Sequence, residues 1–152
     1  LPKGWSVVPR ETLIERGAPN DVAVAFQRDE AVSGLLPTVT VTREILPAPT
    51  DSATYSRASI QAVTALPNYK LIDSRPVTVD GQDVMLHIFT AQPMPDQPER
   101  RFYQVSALAN GTTGYTFSAL APVSVPANLE QEIMVFMKNV TFKEATGEQS
   151  SG

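Results

Sequence analysis

The alternation of apolar and polar positions divides the chain into short segments of period two, interrupted twice by segments with helical spacing. Thr38 to Leu46 is the clearest strand. Val39, Val41, Arg43 and Ile45 fall on one face, and Thr40, Thr42 and Glu44 on the other. β-branched residues suit a pleated, half-buried surface, and Arg43 is the one misfit. Val22, Val24 and Phe26 share a face of an earlier strand, and Ser6 to Pro9 gives a short one. Between them, Glu11 to Gly17 reads either as a helical turn or as a loop. Tyr69 to Asp73 reads as a strand that pauses at Ser74-Arg75-Pro76, where a proline without an N–H suits a bulge or a sheet edge, and resumes at Val77 to Val79. Asp80-Gly81 is a tight hairpin signal. Val84 to Ala91 is apolar on both faces, which predicts a central strand. Arg101 to Ala109 and Tyr115 to Leu120 form a pair around the turn Asn110 to Gly114.

Two stretches carry helical spacing. Ala53 to Leu66 lacks Gly and Pro, places Tyr55, Ser59, Ala62, Val63 and Leu66 on one stripe, and follows Asp51 and Ser52, either of which can cap it. Ala127 to Asn139 has its stripe at Leu129, Ile133, Phe136 and Val140, with Asn128 and Gln131 in capping-box spacing. Thr141 to Lys143 reads as a short last strand. Hairpin-joined strands with one helix in mid-chain and one near the end predict an α+β domain with a central antiparallel sheet and two main helices. Residues 1–145 form this single domain, and 146–152 read as a flexible C-terminal tail.

Composition narrows the function. Hydrophobic residues make up 42% of the 152, enough for a real core, and the net charge of −4 gives no basic footprint for nucleic acid. Cysteine is absent, so disulfides, thiolate metal sites and cysteine nucleophiles are excluded. The apolar runs are far shorter than the ~20 residues of a membrane-spanning helix. The chain opens at Leu1, without Met, on material that reads as folded. This raises the expectation of a signal or lipid anchor upstream and an extracytoplasmic location, with the cytoplasm as the alternative.

The candidate chemistry is sparse. His87 is the only histidine and sits within an apolar strand, where a packed, hydrogen-bonded role is expected rather than proton exchange at a cleft. Asp80 and Asp83 lack the loop spacing of a Ca²⁺ site. Gly111 to Gly114 lacks the Lys and following helix of a phosphate loop. Asp29/Glu30 and Glu130/Glu132 read as solvated carboxylates. No catalytic residue, metal site or cofactor is therefore predicted. The candidate partner-binding residues are Leu35 and Leu36 in a connector, Met94 in a Pro-rich loop, and the pair Arg100-Arg101. Leu35, Leu36 and Met94 are apolar where polar residues are expected. The arginines suit either edge protection or ionic docking.

The ordered set of segments resembles the PsbP-like family. It starts at Leu1-Pro2-Lys3-Gly4-Trp5 and continues through the strands at Val22–Phe26 and Val39–Ile45 and the helix ending at Leu66. Tyr69-Lys70-Leu71, the turn Val79-Asp80-Gly81, and Tyr103–Leu108 follow. It closes with Gly114-Tyr115-Thr116-Phe117-Ser118-Ala119 and a helix ending near Val140-Thr141-Phe142. The resemblance covers Leu1 to Lys143 and implies an α/β/α sandwich with Trp5 packed against sheet or helix. That family includes photosystem subunits, Mog-type import factors, DcrB-like and LpqN-like lipoproteins, and Eag-type secretion chaperones. It implies a docking or accessory module that binds a protein partner, without a catalytic residue to carry over. The alternatives are a cytosolic Eag-type chaperone and a ligand-binding or hydrolytic cleft near His87.

Overall fold

The computed structural model describes residues 1–139. Seven strands form one fully antiparallel sheet: β1 (Trp5–Val7), β2 (Val22–Arg28), β3 (Thr38–Ile45), β4 (Lys70–Val79), β5 (Gln82–Ala91), β6 (Arg100–Asn110) and β7 (Thr113–Pro122). The helices are α1 (Arg10–Glu15), α2 (Ser52–Val63) and α3 (Ala127–Asn139). The expected α+β architecture with two main helices is what the chain adopts. The spatial order is β1-β2-β3-β7-β6-β5-β4. Two meanders, β1 to β3 and β4 to β7, are thus zipped together by β3 and β7, from Thr38↔Leu120 to Ile45↔Thr113. The connection from β3 to β4 must cross three strands to reach the far edge, and α2 makes that crossing, lying over β5 and β6.

α3 covers the other face. Its Leu129, Ile133, Phe136 and Met137 are buried with Val39, Val41, Leu86, Ile88, Tyr103 and Phe117 of the sheet. Trp5 from β1 and Val79 from β4 join the same cluster, although these strands are the two opposite edges. A flat seven-strand sheet would be about 29 Å across, against a helix diameter of about 10–12 Å. The sheet therefore curls around α3 and brings its edges toward each other. Small side chains at Ala107, Ala119 and Ala121 floor this trough.

Two carboxylates expected to be solvated hold α3 in place. Glu132 accepts from the Trp5 indole N–H at 2.8 Å and from Arg28 Nε at 3.0 Å. Glu130 accepts from the hydroxyl of fully buried Tyr103 at 2.6 Å. Both look like surface charges in sequence because their partners lie about 30 to 130 positions away. The Trp5 ring also meets Phe136 edge-on at 4.9 Å, the packing role expected of it.

Several local expectations shift. A bulge between Val22 and Val24 turns Val22 away from Val24 and Phe26. One extra residue moves a side chain to the opposite face. Val22 instead joins Val8, Leu13 and Ala25 in a small second core under α1, which settles Glu11 to Gly17 as mainly helical. β4 runs unbroken through Pro76, and its irregularity lies between Leu71 and Asp73. An edge strand accommodates Pro76 because one row of its backbone groups is unpaired. α3 starts at Ala127, so Asn128 falls inside its first turn, and the first helical bond runs from Glu130 N–H to Pro126 C=O. The expected strand at Thr141 to Lys143, the stripe position Val140 and the tail lie outside the described residues. Among the described residues, no helix is long and apolar enough to cross a membrane.

α2 is fixed by polar contacts more than by an apolar stripe. Asp51 caps it, accepting from Thr54 N–H at 2.8 Å. Only Tyr55 and Ser56 are buried; Ser59, Ile60, Val63 and Leu66 are half-buried, and Ala62 faces solvent. The β5–β6 ladder is confined to His87–Ala91 against Arg100–Gln104. Beyond it the strands part, and side chains replace the missing ladder. Ser56 Oγ accepts from Met85 N–H, and the Gln82 amide both donates to Leu108 C=O and accepts from Leu108 N–H. The Tyr55 ring lies against Gly114, where a Cβ would overlap it, and the Tyr55 hydroxyl donates to Glu44 at 3.1 Å. Burial, reinforced by the Glu44 carboxylate, pushes the Tyr55 hydroxyl up to about 12.

Two outcomes are expected. Gly114→Ala should destabilise the fold by about 1–3 kcal/mol through overpacking. Adding Tyr55→Ala should make the double variant less unstable than the sum of the two, measured by chemical denaturation. Glu132→Ala should cost about 1–3 kcal/mol at neutral pH by leaving the Trp5 N–H and Arg28 without their acceptor. Burial raises the Glu132 carboxyl, but its bonds to Arg28 and Trp5 outweigh that and hold it below its ordinary 4.5. The unfolded chain therefore takes up the proton first, and this contribution, present above about pH 4.5, is lost as pH falls through the folded-state value. Trp5 is the only tryptophan, so its fluorescence reports the acid limb directly.

Candidate functional site

His87 lies on the face of β5 that α2 covers, and it is 1% exposed. Its neighbours in the ladders are Ser74 of β4 and Gln104 of β6. Gln104 Nε2 donates to Ser59 C=O at 3.3 Å, and Met85, two residues before His87, bonds to Ser56. These contacts fix α2 above the imidazole. Tyr69, from the turn after α2, brings its hydroxyl to 2.7 Å from His87 Nε2. The ring packs beside Phe89 at 4.7 Å, and Phe89 stacks on Phe102 at 5.0 Å. Burial lowers the His87 pKa below its ordinary 6.5, favouring the neutral ring.

The expected packed, hydrogen-bonded histidine is thus what forms, with one addition. Nδ1 is buried and has no hydrogen-bond partner among the described residues. If Nε2–H donates to Tyr69, Nδ1 is an unsatisfied acceptor. If Tyr69 donates to Nε2, Nδ1–H is an unsatisfied donor. Either arrangement leaves one buried polar atom at a cost.

The candidate partner-binding residues fall at one end of the sheet. Antiparallel register sets the starts of β3, β4 and β6 beside the ends of β5 and β7: Thr38↔Leu120, Phe102↔Leu120, Ala91↔Arg100 and Lys70↔Thr90. Leu35 and Leu36 occupy the connector before β3, Met94 the loop after β5, and Arg100 and Arg101 the start of β6. Leu36 is 39% exposed and Met94 54%, while Leu35 is half-buried. Leu35 pairs with Val32 around a tight turn at Ser33-Gly34, both with positive φ. The connector is therefore a miniature hairpin, with Leu36 left outward.

Arg100 and Arg101 do not make one patch. Adjacent strand residues point to opposite faces. Arg100 shares the face of Phe102, whereas Arg101 lies on the α3 side and donates to Val123 C=O at 3.2 Å. Neither forms an ion pair with Asp96 or Glu99 among the described residues.

Sequence reasoning missed three members of this end. Leu71, Ile72 and Val123 are all exposed, at 57%, 47% and 41%. Leu71 and Ile72 read only as part of a strand, with nothing local to mark them as exposed. Their exposure follows from the place of β4 at the sheet edge and from the bulge that follows Leu71, neither of which is visible locally. Hence Leu36, Val123, Met94 and the Leu71–Ile72 pair line the ends of neighbouring strands from β3 to β4.

Tyr69→Phe should leave both ring nitrogens of His87 without a partner. The expected loss is about 1–3 kcal/mol of stability with the fold retained, measured by denaturant melts followed by circular dichroism.

No protein-family model matches the chain, and no curated protein matches it. Among solved structures, it is similar to PA94 from Pseudomonas aeruginosa, a protein of unknown function with a provisional description as a regulator. The TM-score is 0.61 at 12% identity, covering 77% of this chain and 80% of that one. At that identity the likeness is one of fold: an antiparallel sheet with its helices.

Proposed function

We propose that this chain is a non-catalytic protein-binding module of PsbP-like type, working outside the cytoplasm and docking its partner at the apolar end of the sheet. The observation that carries this reading is the row Leu36, Val123, Met94, Leu71 and Ile72, large apolar side chains exposed together at the ends of adjacent strands. Apolar residues scattered singly over a surface need no explanation; five of them exposed at the same end of one sheet support a binding role for that end. The loop Gln92 to Glu99, with three prolines, gives that end a stiff rim whose ordering on binding costs little entropy. Arg100 and Lys70 at the same end add charge for orienting an acidic partner. The enclosure of His87 under α2 weighs against a hydrolytic cleft there, because the imidazole has no path to a substrate in this conformation. An extracytoplasmic setting draws on the resemblance to lipoprotein members and is compatible with a chain free of cysteine.

The test uses a photoreactive phenylalanine analogue placed at Met94 or at Ile45, which is more exposed than Met94 and lies at the opposite end of the sheet. Cross-linking in cells should give a discrete adduct from position 94 and none from position 45. Leu71→Glu should reduce the adduct without changing thermal stability by more than about 0.5 kcal/mol. Equal labelling from both positions would overturn the docking reading. An adduct consisting of a cytosolic apolar effector helix would favour the Eag-type chaperone alternative. Fractionation of cells expressing the full gene checks the location separately.

A further inference from the structure

The unpartnered Nδ1 of His87 has a consequence for the helix above it. α2 is held unevenly. Its first half is pinned by the Asp51 cap, by Tyr55 seated on Gly114 and bonded to Glu44, and by Ser56 on Met85 N–H. Its second half contributes half-buried Ser59, Ile60, Val63 and Leu66 and one bond to Gln104, with no fully buried side chain; the turn after it adds the Tyr69 hydroxyl on the imidazole, the Tyr69 ring on Phe89, and two bonds at Gln92, whose N–H donates to Pro67 C=O and whose side-chain oxygen accepts from Asn68. α3, by contrast, buries four large apolar side chains and has two carboxylate anchors. Of the two main helices, the more lightly held half of α2 therefore lies over the one histidine.

We propose that residues 59–69, the second half of α2 and the turn that follows it, form an acid-released flap over His87.

The surroundings give a protonated imidazole no opposite charge to pair with. On α2 the nearest charged side chain is Arg57, which is exposed and bonds Thr54. On β4, Asp73 and Arg75 pair with each other at 2.7 Å on the opposite face, Lys70 is exposed, and the residue facing His87 is Ser74. On β6 the facing residue is neutral Gln104, and Arg100 stands four positions away at the strand end. On β5 itself, Asp83 is four positions away and exposed, accepting from Thr78. Tyr69 is the one titratable group in contact, and a neutral phenol cannot neutralise a cation. Burial disfavours the charged ring. The folded value thus lies below that of the unfolded or opened segment, and the open form gains protons as pH falls below about 6.5. Opening lets the imidazolium reach water and releases the Tyr69 hydroxyl. The Glu132 anchor of α3 loses its carboxylate only below its own depressed value, so the flap yields first on acidification.

Release would also uncover Phe89 and Phe102, which stack beside the apolar end of the sheet, and so enlarge that surface at low pH. This link to docking rests on the reading given above. The opening itself is measured without any partner, so the two can fail separately.

Hydrogen exchange of the isolated protein at about pH 7.5 and about pH 5.5, corrected for intrinsic chemical rates, provides the test. Peptides covering 59–69 should lose protection several-fold at the lower pH, while those covering 127–139 and the Trp5 emission stay unchanged. His87→Phe, which keeps an aromatic ring without a titrating group, should abolish the pH effect, and His87→Gln should do so if Phe repacks the site. Equal protection of 59–69 at both pH values would overturn the proposal. So would loss of protection in 59–69 and 127–139 together, or a pH effect that persists in both variants.

Discussion

The fold depends on α3 being held in the trough of a curled sheet. A seven-strand antiparallel sheet has two faces to cover, and the face made by Val39, Val41, Leu86, Ile88, Tyr103 and Phe117 can be hidden only if something fills its concavity. Leu129, Ile133, Phe136 and Met137 do so. At about 1.5–3 kcal/mol for each large side chain buried, this one helix face is worth more than any polar contact in the molecule. The edges follow from it. Trp5 reaches Phe136 and Glu132 because the sheet curls, and the curl is maintained by what it encloses.

The opposite face is built on a different principle. The crossing from β3 to β4 lays α2 over β5 and β6, but the surface beneath it is richer in hydroxyls and amides than in aliphatic groups. Ser56, Ser106, Gln104 and His87 are all buried there. Each polar group buried with a partner stabilises modestly, and each left without one costs more than a typical bond contributes. Hence the layer on this side is held by specific, directional contacts, and Nδ1 of His87 is its buried side-chain atom without a partner among the described residues. The apolar end of the sheet lies next to this histidine. The layer around α3 thus rests on apolar burial, and the layer under α2 on directional polar contacts.

Strand existence was legible because period-two patterning is local: Val39 and Val41, or the turn Asp80-Gly81, carry their meaning within a few residues. α3 was legible because its apolar spacing is local too, and it begins at Ala127 as expected. α2 was less so. Its stripe by spacing included Ala62, which is exposed, and passed over Ser56, which is buried because it bonds a strand N–H. The candidate site was legible only in part. Leu36 and Met94 stood out as apolar residues in loops, but Leu71 and Ile72 were hidden in an ordinary strand pattern, and Arg100-Arg101 looked like one cluster although strand geometry sends the two side chains to opposite faces.

The sequence by itself determined the α+β class, the antiparallel pairing of successive strands, the two main helices, and the packed state of His87. These depend on periodicity, turn chemistry and the cost of exposing an apolar strand, all of which act over short distances along the chain. Only the tertiary structure decided which strands are edges, where β5 and β6 part, that Glu130 and Glu132 are anchors, and that five apolar side chains share one end. The physical reason is common to all four. Each is a relation between residues far apart in sequence, set by the order in which strands pair and by the curl the sheet must adopt to bury α3.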